Sequence, residues 1–310
     1  MDTAPLPPSD PVYSLGDLAS GGFPGTALAV LGHPIRHSLS PAMHNAALAA
    51  MVRDHPEFAS WRYYRFDVPP DDLPRALDQF RLHGFQGLNL TVPHKVIAVG
   101  CVAEIDPGAR SIGAVNTLIS VEPGWRGFNT DGPGLASGIH DDLGAALTGT
   151  HVILLGAGGA ARAAAVECLR NRCASLWIAN RTPARLHALL DALRPLAGPV
   201  PLQGFDPVCP PVGLPPGALV INATAAGLHP DDPPPIDLFR LPRPAGVYDL
   251  VYNPPETPLL RQAAALGVPR ANGLSMLVHQ GAHSLKIWTG FTAPVAVMMA
   301  AARAALPPAV

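Results

Sequence analysis

The chain has 310 residues, of which 48% are hydrophobic and 14% charged, and its formal net charge at pH 7 is −2. This length accommodates two domains, each with a full core. The charge balance provides no basic surplus for nucleic acid or an anionic membrane, so we expect small molecules as partners. No apolar run approaches the length of a membrane span, and the N-terminus lacks the charged and apolar regions of a secretory signal.

The cysteines show neither a C-x-x-C pair nor the spacing of metal ligands. Free thiols are typical of a reducing compartment, which predicts a cytoplasmic protein without disulfides. The histidines between residues 33 and 44 fit no common zinc pattern, so we expect no bound metal. The four cysteines are Cys101, Cys168, Cys173 and Cys209.

Residues 1–25 are rich in Pro, Gly and Ser, and we expect a loosely packed extension with a short turn of helix. After it, apolar stretches of strand length alternate with amphipathic stretches of helix length. This alternation predicts a mostly parallel sheet with helices on both faces. The predicted strands are 27–32, 61–68, 87–92 and 114–119, and the predicted helices are 42–51, 70–83 and one that starts at Pro93.

Two serines lie two residues apart in the loop after the first predicted strand, at Ser38 and Ser40. Ser40 followed by Pro41 is typical of the N-cap and first position of a helix. A cap accounts for Ser40 but gives no reason for Ser38. Two hydroxyls beside the free amides of a helix start suit a carboxylate ligand.

Lys95 follows a buried strand and a proline, in the first turn of a predicted helix. The chain has only two lysines, Lys95 and Lys286, beside nineteen arginines. Lysine can release a proton near neutral pH and arginine cannot, so Lys95 is a candidate for proton transfer. The ordinary alternative is a solvated lysine.

Polar side chains gather at the carboxyl ends of the predicted strands or in the loops after them. Asn89 and Thr91 occupy alternate positions of one strand and so share a face. With Ser38 and Ser40 they mark the edge at which open α/β sheets bind ligands. Asn116 lies inside its predicted strand, so its place at this edge is less clear from the pattern.

Asp131 stands just before a predicted helix that runs to about residue 143. As an N-cap it is fully adequate for that helix. The functional alternative is an anionic partner for Lys95, because a helix N-terminus keeps a carboxylate ionised.

The pattern changes at about residue 150, where a buried strand at 152–155 runs into a glycine-rich turn and an Ala-rich helix. The turn reads G-x-G-x-x-A. Gly156 allows the tight turn, Gly158 lets the backbone approach a pyrophosphate, and Ala161 permits close helix packing. A second strand is predicted at 175–179. In this context the motif predicts a dinucleotide-binding domain.

The residues after that second strand select the cofactor. An NAD site would carry Asp or Glu there for the ribose 2′-hydroxyl, but segment 180–185 contains no acid. Arg181 and Arg185 are spaced i, i+4 on one side of a helix that Thr182 is expected to cap. Two guanidinium groups suit a 2′-phosphate, so the sequence predicts NADP(H) rather than NAD(H). The alternative is that both arginines are surface charges.

Two more strands are predicted at 219–223 and 247–251, and a polar loop follows each. Thr257 has the chemistry of a helix cap. The last predicted helix is long and amphipathic and runs through Trp288. Gln280 lies near its start and could reach a cleft, although a surface glutamine is the ordinary alternative.

Together these motifs resemble the shikimate dehydrogenase family, over about residues 30–290. Each stretch alone is modest evidence, and all of them in order are highly specific. The stretches are H-S-L-S-P at 37–41, N-L-T-V-P-H-K at 89–95, G-A-V-N-T at 113–117, N-T-D at 129–131, G-A-G-G-A-A-R at 156–162, N-R-T at 180–182, N-A-T at 222–224, Tyr252 with Thr257, and M-L-V at 276–278 with Gln280. Two departures occur near the C-terminal half: Ser275 stands where the family usually has Gly, and 225–228 reads A-A-G-L instead of S-S-G-M.

The resemblance implies an α/β fold with an N-terminal substrate-binding domain at 26–130, whose sheet is mostly parallel, and an NADP-binding Rossmann domain at 131–268. Helices at 269–310 would return to the first domain, and residues 1–25 would be an extension. The implied activity is the reversible NADPH-dependent reduction of 3-dehydroshikimate to shikimate, in the route to aromatic amino acids.

The resemblance also implies roles for individual residues. Lys95 and Asp131 would be the catalytic pair. The substrate carboxylate would be held by Ser38 and Ser40, and its hydroxyls by Asn89, Thr91, Asn116, Asp131 and Gln280, with Tyr252 nearby. The cofactor would contact Gly156, Ala157, Gly158, Gly159, Ala160, Asn180, Arg181, Thr182, Arg185, Thr224, Leu250, Gly273 and Met276, of which Gly273 and Met276 would flank the nicotinamide.

Two alternatives stay open at this point. A quinate or quinate/shikimate dehydrogenase of the same family would differ in substrate, although the paired serines and the Arg-rich loop favour shikimate and NADP. A redox-sensing or ligand-binding regulator would keep the fold without turnover, but the presence of Lys95 and Asp131 argues against it, and the chain carries no basic DNA-reading module. The chain could be a monomer or a homodimer.

Overall fold

The computed structural model describes residues 11–229 and 231–306. The chain forms two compact units. The first consists of the residues up to Thr130 together with Gly281–Leu306, and the second of Asp131–Gln280. One helix near the C-terminus therefore contributes its first half to the second unit and its second half to the first.

The α-helices are α1 (Leu15–Ser20), α2 (Ser40–Met51), α3 (Leu73–Leu82), α4 (His94–Ile97), α5 (Pro107–Ile112), α6 (Asp131–Leu143), α7 (Gly159–Arg170), α8 (Pro183–Ala197), α9 (Pro258–Ala265), α10 (Leu274–Thr289) and α11 (Val295–Ala305). Short 3₁₀ helices cover Pro56–Ser60, Pro70–Asp72, Ala98–Gly100 and Leu238–Arg240. No helix among the described residues is long and apolar enough to cross a membrane.

The strands are β1 (Thr26–Gly32), β2 (Trp61–Asp67), β3 (Gly87–Leu90), β4 (Glu104–Ile105), β5 (Thr117–Val121), β6 (Gly124–Phe128), β7 (His151–Leu155), β8 (Ser175–Ala179), β9 (Leu202–Phe205), β10 (Leu219–Asn222), β11 (Gly246–Asp249) and β12 (Arg270–Asn272). They form two six-stranded sheets, one in each unit.

The first sheet has the order β2-β1-β3-β5-β6-β4. The strands β2, β1 and β3 run parallel, as the alternation of strands and helices predicts. In contrast, β5 runs antiparallel to β3 and to β6. Only residues 122 and 123 separate β5 from β6, and a connection that short can form a hairpin but not a parallel crossover. The fold class is confirmed, and the hairpin makes this sheet mixed.

The N-terminal segment is anchored to the first sheet by a few apolar residues, although most of residues 11–25 are exposed. Leu18 is fully buried in the core, and the rings of Tyr13 and Phe23 lie 5.2 Å apart and contact Phe66 of β2. Tyr13 also accepts a backbone hydrogen bond from Asp67. The prediction of a loosely packed extension is therefore wrong for Tyr13, Leu18 and Phe23, which pack on the core of the first unit, whereas most of residues 11–25 are exposed. The predicted role of residues 1–10 lies outside the described residues.

The second sheet has the order β12-β11-β10-β7-β8-β9, and all of its strand pairs are parallel. Its central strands are buried over most of their length, which explains their continuous apolar sequences. The edge strands β9 and β12 have exposed polar positions, so neither has a clear strand pattern in the sequence. The carboxyl ends of β7, β8, β10 and β11 meet at one edge of this sheet.

Helix α6 packs closely on the first half of α10 through two glycines one helical turn apart. A Cβ on Gly134 would lie 2.8 Å from the backbone nitrogen of Gln280, and one on Gly138 would lie 2.5 Å from the Tyr248 hydroxyl oxygen and 2.8 Å from the nitrogen of Met276. No side chain fits at these distances, so glycine at both positions sets how near the two helices come.

Candidate active site

Ser38 lies in the loop that follows β1, and Ser40 comes two residues later and is buried. Ser40 is the first residue of α2 rather than its N-cap; Leu39 occupies the cap position and makes no side-chain cap bond. The amide of Ser40 donates to Oγ of Ser38 at 3.3 Å. The predicted capping role of Ser40 is wrong, because the chain enters α2 one residue earlier than Pro41 suggests. Its hydroxyl is thus not used as a cap.

The side-chain amide of Asn89 is held in one orientation by four neighbours in the first unit. Its nitrogen donates to the carbonyl of Asn116 at 3.0 Å, to Oγ1 of Thr117 at 3.1 Å and to Oγ of Ser284 at 3.0 Å. Its oxygen accepts from the Tyr63 hydroxyl at 2.7 Å. An amide with both ends engaged cannot flip, so the oxygen of Asn89 faces Tyr63.

Tyr63 is itself fixed by stacking. Its ring lies parallel to that of His44 on α2, with centroids 4.2 Å apart and an interplanar angle of 5°. His44 is fully buried, and burial lowers its pKa to about 3, so it is neutral at physiological pH. The side chain of Asn45, next to His44, exchanges two hydrogen bonds of 2.9 Å with the backbone of Tyr63.

Asn116 lies just before β5, not inside the strand as predicted. Because β5 is antiparallel to β3, the residue before β5 lies beside the end of β3, and the amide of Leu90 donates to the Asn116 carbonyl at 2.8 Å. The side chain of Asn116 accepts from the backbone nitrogen of Thr130 at 2.8 Å. The hairpin therefore brings Asn116 to the same edge as Asn89.

Four residues of this buried polar network were not predicted: Tyr63, Thr117, Thr130 and Ser284. Thr117 and Thr130 belong to the G-A-V-N-T and N-T-D stretches, so the motifs themselves indicated that these two residues lie near the site. Ser284 follows Gln280 at i, i+4 on α10 and bonds Thr117 at 2.7 Å. Tyr63 had no local signal, because its role depends on a contact across the sheet.

Lys95 is half-buried in α4, which is a single turn. Pro93 precedes this turn, so its predicted place at the first helical position is wrong. Thr91 lies beyond the end of β3, and its carbonyl accepts from the amide of His94 at 2.8 Å. The amide of Val115 donates to the carbonyl of Lys95 at 2.9 Å, which ties α4 to the segment before β5.

Asp131 is buried and is the first residue of α6, not the residue before it as predicted. The next residue, Gly132, packs on α7, since a Cβ there would lie 2.7 Å from Oε2 of Glu167. Asp131 opens the second unit, whereas Lys95 belongs to the first. Their pairing stays a prediction.

The glycine-rich turn connects β7 to α7. Gly156 has φ of +115°, a conformation that residues with a side chain rarely adopt, and a Cβ there would lie 3.0 Å from the carbonyl of Ala223. Gly158 and Gly159 are exposed, and no described atom lies within 4 Å of a Cβ placed on either. Ala161 is fully buried. The turn thus leaves backbone amides at the start of α7 open to a phosphate group.

The segment after β8 carries the two arginines predicted to select the cofactor. Arg181 and Arg185 are both exposed. Thr182 occupies the N-cap position of α8, as predicted, but its side chain makes no cap hydrogen bond. Its carbonyl accepts from the side chain of Asn180 at 2.9 Å. Two exposed guanidinium groups at a helix start fit a 2′-phosphate.

A buried carboxylate organises the loops after β10 and β11. Asp249 accepts from the hydroxyl of Thr257 at 2.6 Å, from the side chain of Asn222 at 2.8 Å and from the amide of Val251 at 3.0 Å. Burial raises the pKa of Asp249, and these hydrogen bonds oppose that shift. Asn222 in turn accepts from the amide and hydroxyl of Thr224. Thr257 also caps α9, as predicted.

The predicted nicotinamide contacts lie at the start of α10. A Cβ on Gly273 would lie 2.2 Å from the carbonyl of Leu250, so only glycine fits there. The amide of Met276 donates to the hydroxyl of Tyr248 at 3.2 Å. Burial raises the pKa of the Tyr248 hydroxyl, and the nearby carboxylate of Asp142 adds to that shift.

Ser275, which stands where the family usually has Gly, makes a hydrogen bond to a carboxylate. Its hydroxyl donates to Oδ1 of Asp142 at 2.7 Å, and one turn later His279 bonds Asp141 at 2.8 Å. The start of α10 is therefore joined to the end of α6 by two adjacent carboxylates.

Tyr252 and Gln280 are both half-buried. Burial raises the pKa of the Tyr252 hydroxyl, which stays protonated at neutral pH. The amide nitrogen of Gln280 donates to the carbonyl of Leu277 at 2.8 Å.

Two family models match the chain: the shikimate dehydrogenase substrate binding domain over residues 30–118 and the shikimate 5′-dehydrogenase C-terminal domain over residues 273–303. The NADP(+) shikimate dehydrogenase of Symbiobacterium thermophilum is 42% identical over 287 residues, which are 91% of this chain and 95% of that protein.

Solved structures agree with the sequence relatives. Shikimate 5-dehydrogenase of Thermus thermophilus, crystallised with NADP(H) and shikimate, is 39% identical with a TM-score of 0.79, over 91% of this chain and 100% of that one. Quinate dehydrogenase of Corynebacterium glutamicum with NAD has the same TM-score at 29% identity, over 90% and 99% of the two chains. Identity of about 40% over nine-tenths of the length, together with the matched motifs, establishes that the chain belongs to the shikimate dehydrogenase family.

Proposed function

We propose that the protein catalyses the reversible reduction of 3-dehydroshikimate to shikimate with NADPH, in aromatic amino acid biosynthesis. The observation that carries this proposal is its similarity over nearly the full length to NADP-dependent shikimate dehydrogenases. The substrate partners are these two small molecules. A cytoplasmic location and a monomeric or homodimeric state stay predictions.

The first unit supplies one set of substrate contacts. Ser38 and Ser40 bind the carboxylate, which is supported by the hydrogen bond that joins them and by the position of Ser40 inside α2, where its hydroxyl does not serve as the N-cap. Asn89, Thr91 and Asn116 bind the ring hydroxyls. The fixed amide of Asn89 supports this role, because a group held in one orientation costs less entropy on binding.

The second unit supplies Asp131, Tyr252 and Gln280 to the substrate and binds the cofactor. The open turn at Gly158 and Gly159 suits the pyrophosphate. The other proposed cofactor contacts are Gly156, Ala157 and Ala160 of the same turn, Asn180, Arg181, Thr182 and Arg185 at the 2′-phosphate, and Thr224, Leu250, Gly273 and Met276 towards the nicotinamide.

NADPH, when bound, supplies the hydride for carbonyl reduction. Lys95 donates a proton to the forming alkoxide and stabilises its negative charge. Asp131 orients the ammonium group of Lys95 and hydrogen-bonds the neighbouring hydroxyl of the substrate.

One spectrophotometric assay tests the proposal. Oxidation of shikimate and of quinate is followed with NADP and with NAD, and we expect shikimate with NADP to have the highest kcat/KM. A preference for quinate would make the protein a quinate dehydrogenase, the substrate named for one of its structural relatives. Absence of turnover with all four combinations would instead favour a ligand-binding regulator.

A further inference from the structure

Strand β2 has two buried polar side chains on the same face, Tyr63 and Arg65. The alternate residues Tyr64 and Phe66 point to the opposite face and pack into the aromatic core. Arg65 is only 8% exposed. A buried guanidinium needs hydrogen-bond acceptors to offset its lost hydration, so the acceptors show what it holds.

The acceptors of Arg65 include two backbone carbonyls in the segment 33–40, the serine loop, which carries Ser38 and Ser40. Its Nη1 donates to the carbonyl of Arg36 and to that of Ser38, the latter at 3.3 Å. Within the loop, the amide of Ser38 donates to the carbonyl of Ile35 at 3.0 Å, and the amide of Ser40 donates to Oγ of Ser38. Hydrogen bonds from a charged donor are about twice as strong as neutral ones. Arg65 therefore anchors the backbone of this loop to strand β2.

We propose that Arg65 is a positioning residue for recognition of the substrate carboxylate. It holds the backbone at Arg36 and Ser38 so that the hydroxyls of Ser38 and Ser40 are oriented before the substrate arrives, and its positive charge beneath the loop favours an anion there. This inference rests on the proposed function, in which the two serines bind the carboxylate.

The inference extends to the whole face of β2. Tyr63 orients the amide of Asn89 through its hydroxyl, and Arg65 orients the serine loop through its guanidinium. The amide of Asn89 and the serine loop, which both have proposed substrate contacts, thus depend on β2. This edge strand itself has no proposed contact with the substrate.

The test compares Arg65→Met and Arg65→Lys with a control on the same strand, Arg62→Met, because Arg62 is exposed. Each variant is assayed with shikimate and with methyl shikimate, whose carboxyl group is uncharged. The affinity for the ester is measured from its KM as a substrate or from its competition with shikimate as an inhibitor. Loss of two charge-assisted hydrogen bonds predicts an increase in the KM of Arg65→Met for shikimate of about tenfold or more.

The KM for NADP should stay unchanged in Arg65→Met. The affinity for the ester should fall by a smaller factor than that for shikimate, because misoriented serine hydroxyls weaken both ligands and only the carboxylate also loses the attraction of the charge. Arg65→Lys keeps the charge on a shorter side chain, so its KM for shikimate should lie between that of the unmodified protein and that of Arg65→Met. This variant provides the test if Arg65→Met fails to fold. Arg62→Met should match the unmodified protein.

A KM for shikimate within twofold of the unmodified protein would overturn the inference. An equal rise in the KM for NADP would also overturn it, because it would indicate a general disturbance of the fold. If the unmodified protein does not oxidise shikimate, the proposed function fails instead. The two failures are therefore distinguishable.

Discussion

At the scale of single residues, Lys95 carries the chemistry that the proposed function needs. Replacing it by alanine removes the proton donor but none of the proposed substrate contacts. A positioned general acid contributes about 10²- to 10⁴-fold to the rate. We therefore expect Lys95→Ala to lose kcat by a factor in that range, with little change in the KM for shikimate.

The chain provides a matched control for this experiment, because its other lysine, Lys286, is exposed on α10. Lys286→Ala should have normal kinetics. If Lys95→Ala kept a kcat near that of the control, Lys95 would have no part in proton transfer.

Arg181 tests the selection of the cofactor. It is exposed at the start of α8, and its proposed partner is the 2′-phosphate, a group that NADPH has and NADH lacks. One lost charge-assisted hydrogen bond corresponds to roughly 10- to 100-fold in affinity. Arg181→Ala should lower the affinity for NADPH by that factor and leave the affinity for NADH nearly unchanged, as measured by fluorescence titration.

Arg194 is the control for Arg181, since it is an exposed arginine on the same helix, paired with Asp191. Arg194→Ala should bind both cofactors normally. Equal losses of NADPH and NADH affinity in Arg181→Ala would refute the assignment to the 2′-phosphate.

The sequence was informative about residues whose role follows from local pattern. The glycine-rich turn has the predicted conformation at Gly156, because the chain itself requires glycine there. The sequence was less informative about Tyr63 and Arg65, whose partners come from distant segments. An aromatic strand gives no indication of which hydroxyl or guanidinium will be buried beneath a loop.

At the scale of elements, the cap residues show why local chemistry is ambiguous. Ser40, Thr182 and Thr257 all precede a proline at a helix start, yet only Thr257 makes the cap bond. A hydroxyl at a helix start serves equally well as a cap or as a ligand contact, and the pattern cannot tell which. The two residues that do not cap are the two with proposed ligand roles.

The contact between α6 and α10 gives a prediction about packing. Alanine at Gly138 would place its Cβ 2.5 Å from the Tyr248 hydroxyl and 2.8 Å from the nitrogen of Met276, so the helices must separate. Overpacking of this kind costs about 1–3 kcal/mol. We expect Gly138→Ala to lose that much free energy of unfolding in urea and to raise the KM for NADP, because Met276 moves with α10.

Gly100 is the matched site for the same substitution, since no described atom lies within 4 Å of a Cβ placed there. Gly100→Ala should be close to neutral in both measurements. A Gly138→Ala protein as stable as the Gly100→Ala protein would show that the two helices separate without cost.

At the scale of the whole molecule, the alternation of strands and helices was enough to predict the α/β class, and the motifs placed along it were enough to predict the family. The alternation did not reveal the β5–β6 hairpin, because Gly124 and Gly127 weaken the strand pattern of β6. It also did not show that α10 belongs half to each unit. Periodicity identifies a helix and its apolar face, but the partner of that face depends on the fold around it.

The second half of α10 completes the core of the first unit. The indole nitrogen of Trp288 donates to the carbonyl of Leu118 at 2.8 Å, and a Cβ on Gly87 would lie 2.2 Å from that nitrogen, so the ring lies directly on β3. Ser284 closes the buried network around Asn89. Residues 1–130 alone would expose this apolar surface and leave these polar groups without partners.

We therefore expect a fragment of residues 1–130 to be unfolded or aggregated, as judged by circular dichroism and size-exclusion chromatography. Loss of one large buried aromatic side chain costs about 3–5 kcal/mol, a large part of the stability of a domain. A version in which residues 281–306 are joined to residue 130 by a flexible linker should fold and melt cooperatively. The same linked protein with Trp288→Ala is the control, and it should behave like the short fragment. A stable, cooperative fold of residues 1–130 alone would show that the C-terminal helices are an addition to the first unit and not part of its core.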